Sequence, residues 1–310
     1  MKLSIIIPVL NEEENLPHLL QAIDEAFRPR GDVTLELIFV DDGSRDGTLA
    51  RLREVAGQDK RVRALSFSRN FGSHAALMAG FRHCTGDAAA YLSADLQDPP
   101  EMLLLMLDKL KEGNQVVWGT REQREDAATT RLFSMLYSGL MRRLALRDMP
   151  NSGIDLCLIE RAVIDAITKV EEKNTSVFGL IMWSGFRQTF LPYHRRARQR
   201  GASRWTIGKK LKLFVDSFVS FSFFPIRLVS YLGVIFSGLG FLYAIVVAVR
   251  RFLYATPVEG WSSLMVAVVS LSGLQLLMLG IVAEYLWRTF DESRKRPPYI
   301  IKETVGFEKR

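Results

Sequence analysis

Ala88-Ala89-Ala90-Tyr91-Leu92-Ser93-Ala94-Asp95-Leu96-Gln97-Asp98-Pro99-Pro100-Glu101 changes character twice within 14 residues. Residues 88–92 are apolar, as expected of a strand buried on both faces. Residues 93–98 bring Ser93, Asp95, Gln97 and Asp98, and a helical pattern then runs over 100–111. The same order of strand, polar loop and helix recurs upstream. Strands are predicted over 4–9, 35–40, 62–67 and 115–119, with helices over 16–27, 48–56 and 73–83. Such alternation specifies an α/β fold with a mostly parallel sheet and helices on both faces. Ligands of such folds bind beyond the carboxyl ends of the strands, where the polar stretches of this chain fall. Further on, helices are expected over 126–147 and 160–169, and a last strand over 186–193.

With 310 residues, 48% of them hydrophobic, the chain has ample material for a sizeable core. A mean hydropathy of +0.07 conceals two populations. Residues 1–200 are mixed and charged, whereas 226–287 are almost wholly apolar. The net charge of +7 is concentrated just before the apolar part, in Arg195, Arg196, Arg198, Arg200, Arg204, Lys209, Lys210 and Lys212. Beside a membrane segment such a cluster suits anionic headgroups or phosphates, and no nucleic-acid motif accompanies it. Cys84 and Cys157 have no metal-ligand spacing and read as core residues of a reduced compartment. The run over 3–10 is too short for a signal-peptide core and meets acidic residues at once.

Residues 228–249 and 261–283 are uncharged runs of 22 and 23 residues. The first gives about 33 Å of helix, enough to cross a bilayer. Trp261 and Trp287 are suited to anchor the second at the interfaces. Two spans return the chain to the side it left. The loop between them holds Arg250, Arg251 and Glu259, while the flanks hold the basic cluster and Arg288, Arg294, Lys295 and Arg296. The positive-inside rule therefore puts both flanks in the cytoplasm, at a plasma (inner) membrane. The expected organisation is a cytoplasmic domain over 1–205, a juxtamembrane amphipathic helix over 206–225, a hairpin over 226–289 with spans of about 226–250 and 261–287, and a cytoplasmic tail over 290–310.

Val40-Asp41-Asp42-Gly43-Ser44-Arg45-Asp46-Gly47-Thr48 closes the second strand. An acidic pair there accepts hydrogen bonds from a ribose or a base N–H, while Asp46 and Thr48 cap the next helix. Asp95 and Gln97 offer a carboxylate and an amide oxygen two residues apart, suited to a hard divalent cation that also binds a diphosphate. Taken alone, a loop aspartate ahead of Pro99-Pro100 is ordinary turn chemistry; the position of Asp95 at a strand end, with the acidic pair upstream, is what raises the signal.

PVLNEEENL at 8–16, VDDGSRDGT at 40–48, RNFGSHAALMAG at 69–80 and SADLQDPPE at 93–101 resemble, in order and spacing, the inverting family 2 glycosyltransferases with a Rossmann-like GT-A fold. GASRWTIGKKLKLFVDSFVSFSFFPIRL at 201–228, the two spans and Arg-Pro-Pro-Tyr-Ile at 296–300 narrow the likeness to the polyprenyl-phosphate glycosyltransferases. The resemblance covers nearly the whole chain. It implies a nucleotide-sugar donor held by Pro8, Glu12, Asp41 and Asp42, and Mg²⁺ or Mn²⁺ on Asp95 and Gln97. It implies a polyprenyl phosphate acceptor in the lipid bilayer and homo-oligomers assembled through the C-terminal helices.

The chain departs from the family pattern at Ser93, where relatives often have a first aspartate, and at Leu10, where many have tyrosine. Asp155, in Gly153-Ile154-Asp155-Leu156-Cys157, matches the family's acidic residue near the acceptor. A lipid phosphate is already anionic near neutral pH, its second pKa being about 6, so Asp155 acts either as base or as an orienting group. Like-charge repulsion between acceptor and donor calls for arginine forks. Arg121, Arg131, Arg195, Arg198 and Arg204 are the candidates, with Arg121 and Arg198 foremost by resemblance. A processive synthase would carry Gln-x-x-Arg-Trp, and Gly201 stands at the glutamine position before Arg204-Trp205.

Overall fold

The computed structural model describes residues 1–121, 139, 142–143, 150, 154–172, 176–194, 222, 224–254 and 260–307. The chain divides into two units, Met1–Phe218 with Pro297–Arg310, and Val219–Arg296. The helix expected over 126–147, apart from Gly139, Arg142 and Arg143, lies outside the described residues, as does nearly all of the 206–225 segment.

In the first unit the elements run β1 (Lys2–Val9), α1 (Leu16–Phe27), β2 (Thr34–Asp41), α2 (Thr48–Gln58), β3 (Val62–Phe67), α3 (Ser73–His83) and β4 (Ala88–Tyr91). Then come α4 (Met102–Lys111), β5 (Val116–Arg121), β6 (Ile154–Glu160), α5 (Arg161–Ile167), α6 (Val177–Trp183) and β7 (Gln188–Tyr193). The sheet order is β7-β5-β6-β4-β1-β2-β3-β8, with β8 (Ile301–Val305) contributed by the far end of the chain. Strands β1, β2, β3 and β4 pair in parallel, as do β5 and β7, while β6 and β8 run antiparallel to their neighbours.

The central strand shows why this order forms. Ile5, Ile6 and Ile7 are fully enclosed, and β-branched side chains pack well on a pleated surface covered on both faces. Each contributes about 1.5–3 kcal/mol by leaving water. Ile5 and Ile7 join a core with Leu16, Leu19 and Ile23 of α1 and Met106 of α4. Ile6 faces α3, which approaches so closely at Gly80 that an added Cβ would meet Ile6 Cγ2 at 2.2 Å. Alanine at 80 therefore has no room. Cys84 and Cys157 are buried and unbridged, and burial pushes the Cys157 thiol up to about 12.

Two strands differ from the sequence expectation. Residues 154–160 pair between β4 and β5. Residues 301–305, inside the segment expected as a tail, cover the edge of β3. Tyr299 stacks on Phe67 with ring centroids 5.0 Å apart, and Arg53 grips Glu303 through two bonds of 2.8 and 2.7 Å. An edge that would otherwise present unpaired amides is thereby closed.

The second unit contains α7 (Phe224–Tyr254) and α8 (Trp261–Ser293), which pack against each other. Stretches Ile226–Val247 and Ser263–Ser293 are long and apolar enough to cross a membrane. Leu242, Tyr243, Leu276 and Leu279 are exposed along them. Near the end of α8, Arg288 pairs with Glu284 at 2.8 Å and the Tyr285 hydroxyl donates to the Ser222 carbonyl at 3.3 Å.

Candidate functional site

Chain order reverses between β1 and β4. From β1 the chain moves through β2 and β3 to one side, then returns to lay β4 on the other. The crevice beyond the carboxyl ends at such a switch point is where open α/β sheets bind ligands. The loops that border it here follow β1, β2, β3 and β4, and they are tied to one another by specific bonds.

The first pair of loops is zipped together by side chains and amides. Asn11, whose φ of +51° puts it in the left-handed region that asparagine tolerates, donates its N–H to Ser44 Oγ at 2.8 Å. Its Oδ1 accepts the Arg45 N–H at 2.7 Å. The Glu12 N–H donates to Thr48 Oγ1 at 2.9 Å, and Glu12 Oε2 accepts Asn15 Nδ2 at 2.6 Å. Pro8 sits in β1 beside Val40 of β2. Contrary to the sequence expectation that Asp46 and Thr48 cap α2, the N-cap is Gly47 and Thr48 is the first helical residue. Asp46 Oδ1, one position before the cap, accepts the Thr48 N–H at 3.1 Å and its hydroxyl at 2.6 Å.

Asp41 and Asp42 are both buried, and both brace the loops. Asp41 accepts from Ser66 Oγ at 2.8 Å and from the Ser44 N–H at 2.9 Å. Asp42 accepts the Phe71 and Gly72 N–H groups at 2.6 and 2.9 Å, joining the β2 loop to the β3 loop. Burial raises the Asp42 pKa above its ordinary value, opposed by those two amides. Each carboxylate oxygen has a second lone pair, so this bracing leaves capacity for a ligand donor.

After β4, exposure alternates. Ser93, Asp95 and Gln97 are half-buried, while Ala94, Leu96 and Asp98 are buried. Asp95 and Gln97 therefore share one side of the loop, held in an Asx turn by the Gln97 N–H on Asp95 Oδ1 at 3.2 Å and by Leu96 at φ +57°. One carboxylate and one amide oxygen fit a hard cation whose other ligands are phosphate and water. Among the described residues no three His, Cys, Asp or Glu side chains converge to form a complete protein cage.

Arg121 ends β5, at the same end of the sheet, in register with Tyr193. Because β6 runs antiparallel, its start lies at that end too. The ladder shifts there, since Gly119 faces Leu156 but Thr120 faces Ile154. Asp155 is the extra residue of this bulge, a device that is common beside active sites. Arg131, Arg195, Arg198 and Arg204 lie outside the described residues. Sequence reasoning did not single out Ser66, Asp98 or Tyr193. Asp98 is buried, with Ser93 Oγ and the Tyr193 hydroxyl each donating to it at 2.5 Å. The one legible signal was a carboxylate at an alternating, inward position before two prolines.

The family description "Glycosyl transferase family 2" matches residues 4–227. A Bacillus subtilis protein described as an uncharacterized glycosyltransferase, YkcC, is 39% identical over 98% of this chain and 94% of its own. The bactoprenol glucosyl transferase of Shigella phage SfV is 33% identical over 97% of this chain and 98% of its own. Among solved structures, the mannosyltransferase PcManGT of Pyrobaculum calidifontis, in complex with GDP-Man and Mn²⁺, covers 92% of this chain and 87% of its own at 17% identity, with a TM-score of 0.47.

Proposed function

The chain belongs to glycosyl transferase family 2, and from that premise we propose that it moves a sugar from a UDP- or GDP-linked donor to a polyprenyl phosphate. The product is a polyprenyl-phosphate sugar for modification of cell-envelope glycans. The observation that carries this reading is the near full-length likeness to a bactoprenol glucosyl transferase in a chain that joins a strand-end site to two apolar helices.

In this reading the nucleotide lies against the loops after β1 and β2, with Pro8, Glu12, Asp41 and Asp42 beside it. Asp95 and Gln97 hold Mg²⁺ or Mn²⁺. When bound, the cation stabilises the charge of the departing diphosphate. An acceptor phosphate oxygen attacks the anomeric carbon from the face opposite the diphosphate. The carbon–oxygen bond to the diphosphate breaks, the electron pair leaves with the nucleoside diphosphate, and configuration inverts. Arg121, with Arg131, Arg195, Arg198 and Arg204, offsets the repulsion between acceptor phosphate and donor. Asp155, at its bulge, orients the acceptor. A general base adds little to a phosphate that is already ionised.

Helices α7 and α8 span the bilayer and hold the isoprenoid chain. The pairing of β8 with β3 supports an even number of crossings, because the chain on either side of the hairpin belongs to the same unit. The basic flanks then put that unit in the cytoplasm. The acceptor class is tested by offering detergent-solubilised protein either undecaprenyl phosphate or diacylglycerol with each labelled donor. Label in the polyprenyl product alone supports the proposal. Label in diacylglycerol alone overturns the acceptor assignment.

A further inference from the structure

Asp98, like Asp41, exposes only 1% of its surface, and the reaction outlined above does not use it. Ser93 Oγ donates to its Oδ2 and the Tyr193 hydroxyl to its Oδ1, both at 2.5 Å. Bonds from a hydroxyl to an ionised carboxylate are short and roughly twice as strong as neutral ones. Their two origins matter more than their strength. Ser93 opens the loop that carries Asp95 and Gln97. Tyr193 closes β7, beside Arg121 in register, and the chain continues from it directly towards Arg195, Arg198 and Arg204. A single enclosed carboxylate thus joins the donor-side loop to the strand end from which the acceptor-side arginines follow.

We propose that Asp98 is a positioning residue that fixes the Asp95–Gln97 loop through Ser93 and couples it to the end of β7 through Tyr193. Ser93 then has a definite task. Its hydroxyl donates to Asp98 without adding a charge, whereas an ionised carboxylate at that position has no proton to donate and repels Asp98. A carboxylate this deeply enclosed needs donors on both oxygens to offset its lost hydration. Two such donors from different parts of the sheet hold the loop between them. Among the described residues Tyr193 is bonded to Asp98, and Asp98 to Ser93, so Asp98 links Tyr193 to the loop of Asp95 and Gln97.

The inference rests on the donor-site reading, and one experiment separates their failures. Full-length protein in detergent with Mn²⁺ is titrated calorimetrically with UDP and with GDP, without acceptor, alongside thermal melting. Ser93→Ala, Ser93→Thr and Tyr193→Phe are compared with the wild type. Expected is a loss of about tenfold in affinity for the nucleotide that the wild type binds, in both Ser93→Ala and Tyr193→Phe. Ser93→Thr, which keeps the hydroxyl, stays within about twofold of the wild type. Ser93→Ala lies on a half-buried loop, so it tests the coupling even where the buried Tyr193→Phe fails to fold. Affinities unchanged in Ser93→Ala and in every variant that folds would reduce Asp98 to a stabiliser of the fold, and overturn the inference alone. A wild type that binds neither nucleotide would overturn the donor reading with it.

Discussion

The Asp42 carboxylate accepts the Gly72 N–H at 2.9 Å, binding the end of β2 to the first turn of α3 across the loop that follows β3. Gly72 has φ +99°, and its amide is one of the helix-terminal donors that need a partner. With Phe71 N–H at 2.6 Å on the other oxygen, one side chain sets the shape of a whole loop. Burial keeps the Asp42 pKa raised, and a raised carboxyl pKa favours the folded state below the unfolded value, with that contribution lost as pH rises. Asp42→Asn is therefore expected to change stability at pH 7 by no more than about 1 kcal/mol, because the relief of a buried charge offsets a lost acceptor. Its amide cannot accept at both positions, so donor KM is expected to rise while the melting temperature holds. A large fall in melting temperature with unchanged KM would refute this.

Gly43 is held at φ +76° with the backbone of the β3 loop beside it. A Cβ there would meet Arg69 C at 2.7 Å and Asn70 N at 2.9 Å. Gly43→Ala combines left-handed strain with a clash against main chain, on the order of 2–4 kcal/mol. Lower thermal stability and weaker nucleotide binding are expected together, measured by melting and by titration.

Glu36 forms a separate, structural network at the opposite end of β2. Burial would raise its pKa, but bonds from Ser4 and Thr85, with Lys2 nearby, outweigh that and lower it below 4.5. Arg63 Nη1 lies 2.7 Å from Oε1. A lowered carboxyl pKa contributes stability that is present above the unfolded value and lost as pH falls through the folded one. Glu36→Gln is expected to cost about 2 kcal/mol at pH 7. Denaturant titrations should show the gap to wild type closing as pH drops below about 4.5, the unperturbed value. A gap that is the same at pH 7 and pH 3 would contradict it.

Tyr299 anchors the C-terminal segment on the end of β3. Its ring stacks on Phe67, which meets Phe71 edge-on at 5.7 Å, and Phe71 is the residue whose amide binds Asp42. Aromatic pairs contribute about 0.5–1.5 kcal/mol beyond their buried area. Tyr299→Ala is expected to lower the melting temperature by several degrees and Tyr299→Phe to leave it nearly unchanged. Equal losses would assign the effect to the hydroxyl and not to the stack.

The central sheet was legible because its strands are continuous apolar runs followed by helices with clear three-to-four spacing. Strand β6 was not, because its only continuous apolar run, Leu156-Cys157-Leu158-Ile159, is too short to distinguish a strand from a buried helical turn. Strand β8 carries the alternation Ile301, Glu303, Val305 against Lys302 and Thr304, too short a pattern to announce its partner far upstream, where the chain leaves β3 at Phe67. The strand-end positions of Asp41, Asp42, Asp95 and Arg121 could be read from the motifs. The bracing of Asp41 by Ser66, and of Asp98 by Ser93 and Tyr193, could not. The bonds from Ser66 and Tyr193 span 25 and 95 positions, which no local spacing encodes, and the one from Ser93 depends on how the loop folds back on itself.

The most direct test incubates purified wild-type protein and Asp95→Ala with undecaprenyl phosphate, Mn²⁺ and a panel of labelled UDP- and GDP-sugars. Label extracted into the organic phase is counted, with melting curves to show that both proteins are folded. Expected is transfer from at least one donor by the wild type, abolished by chelation, and reduced on the order of 10²-fold or more in Asp95→Ala. No label in the lipid with any sugar, or equal transfer by folded Asp95→Ala, would contradict the assignment of that loop as the catalytic centre.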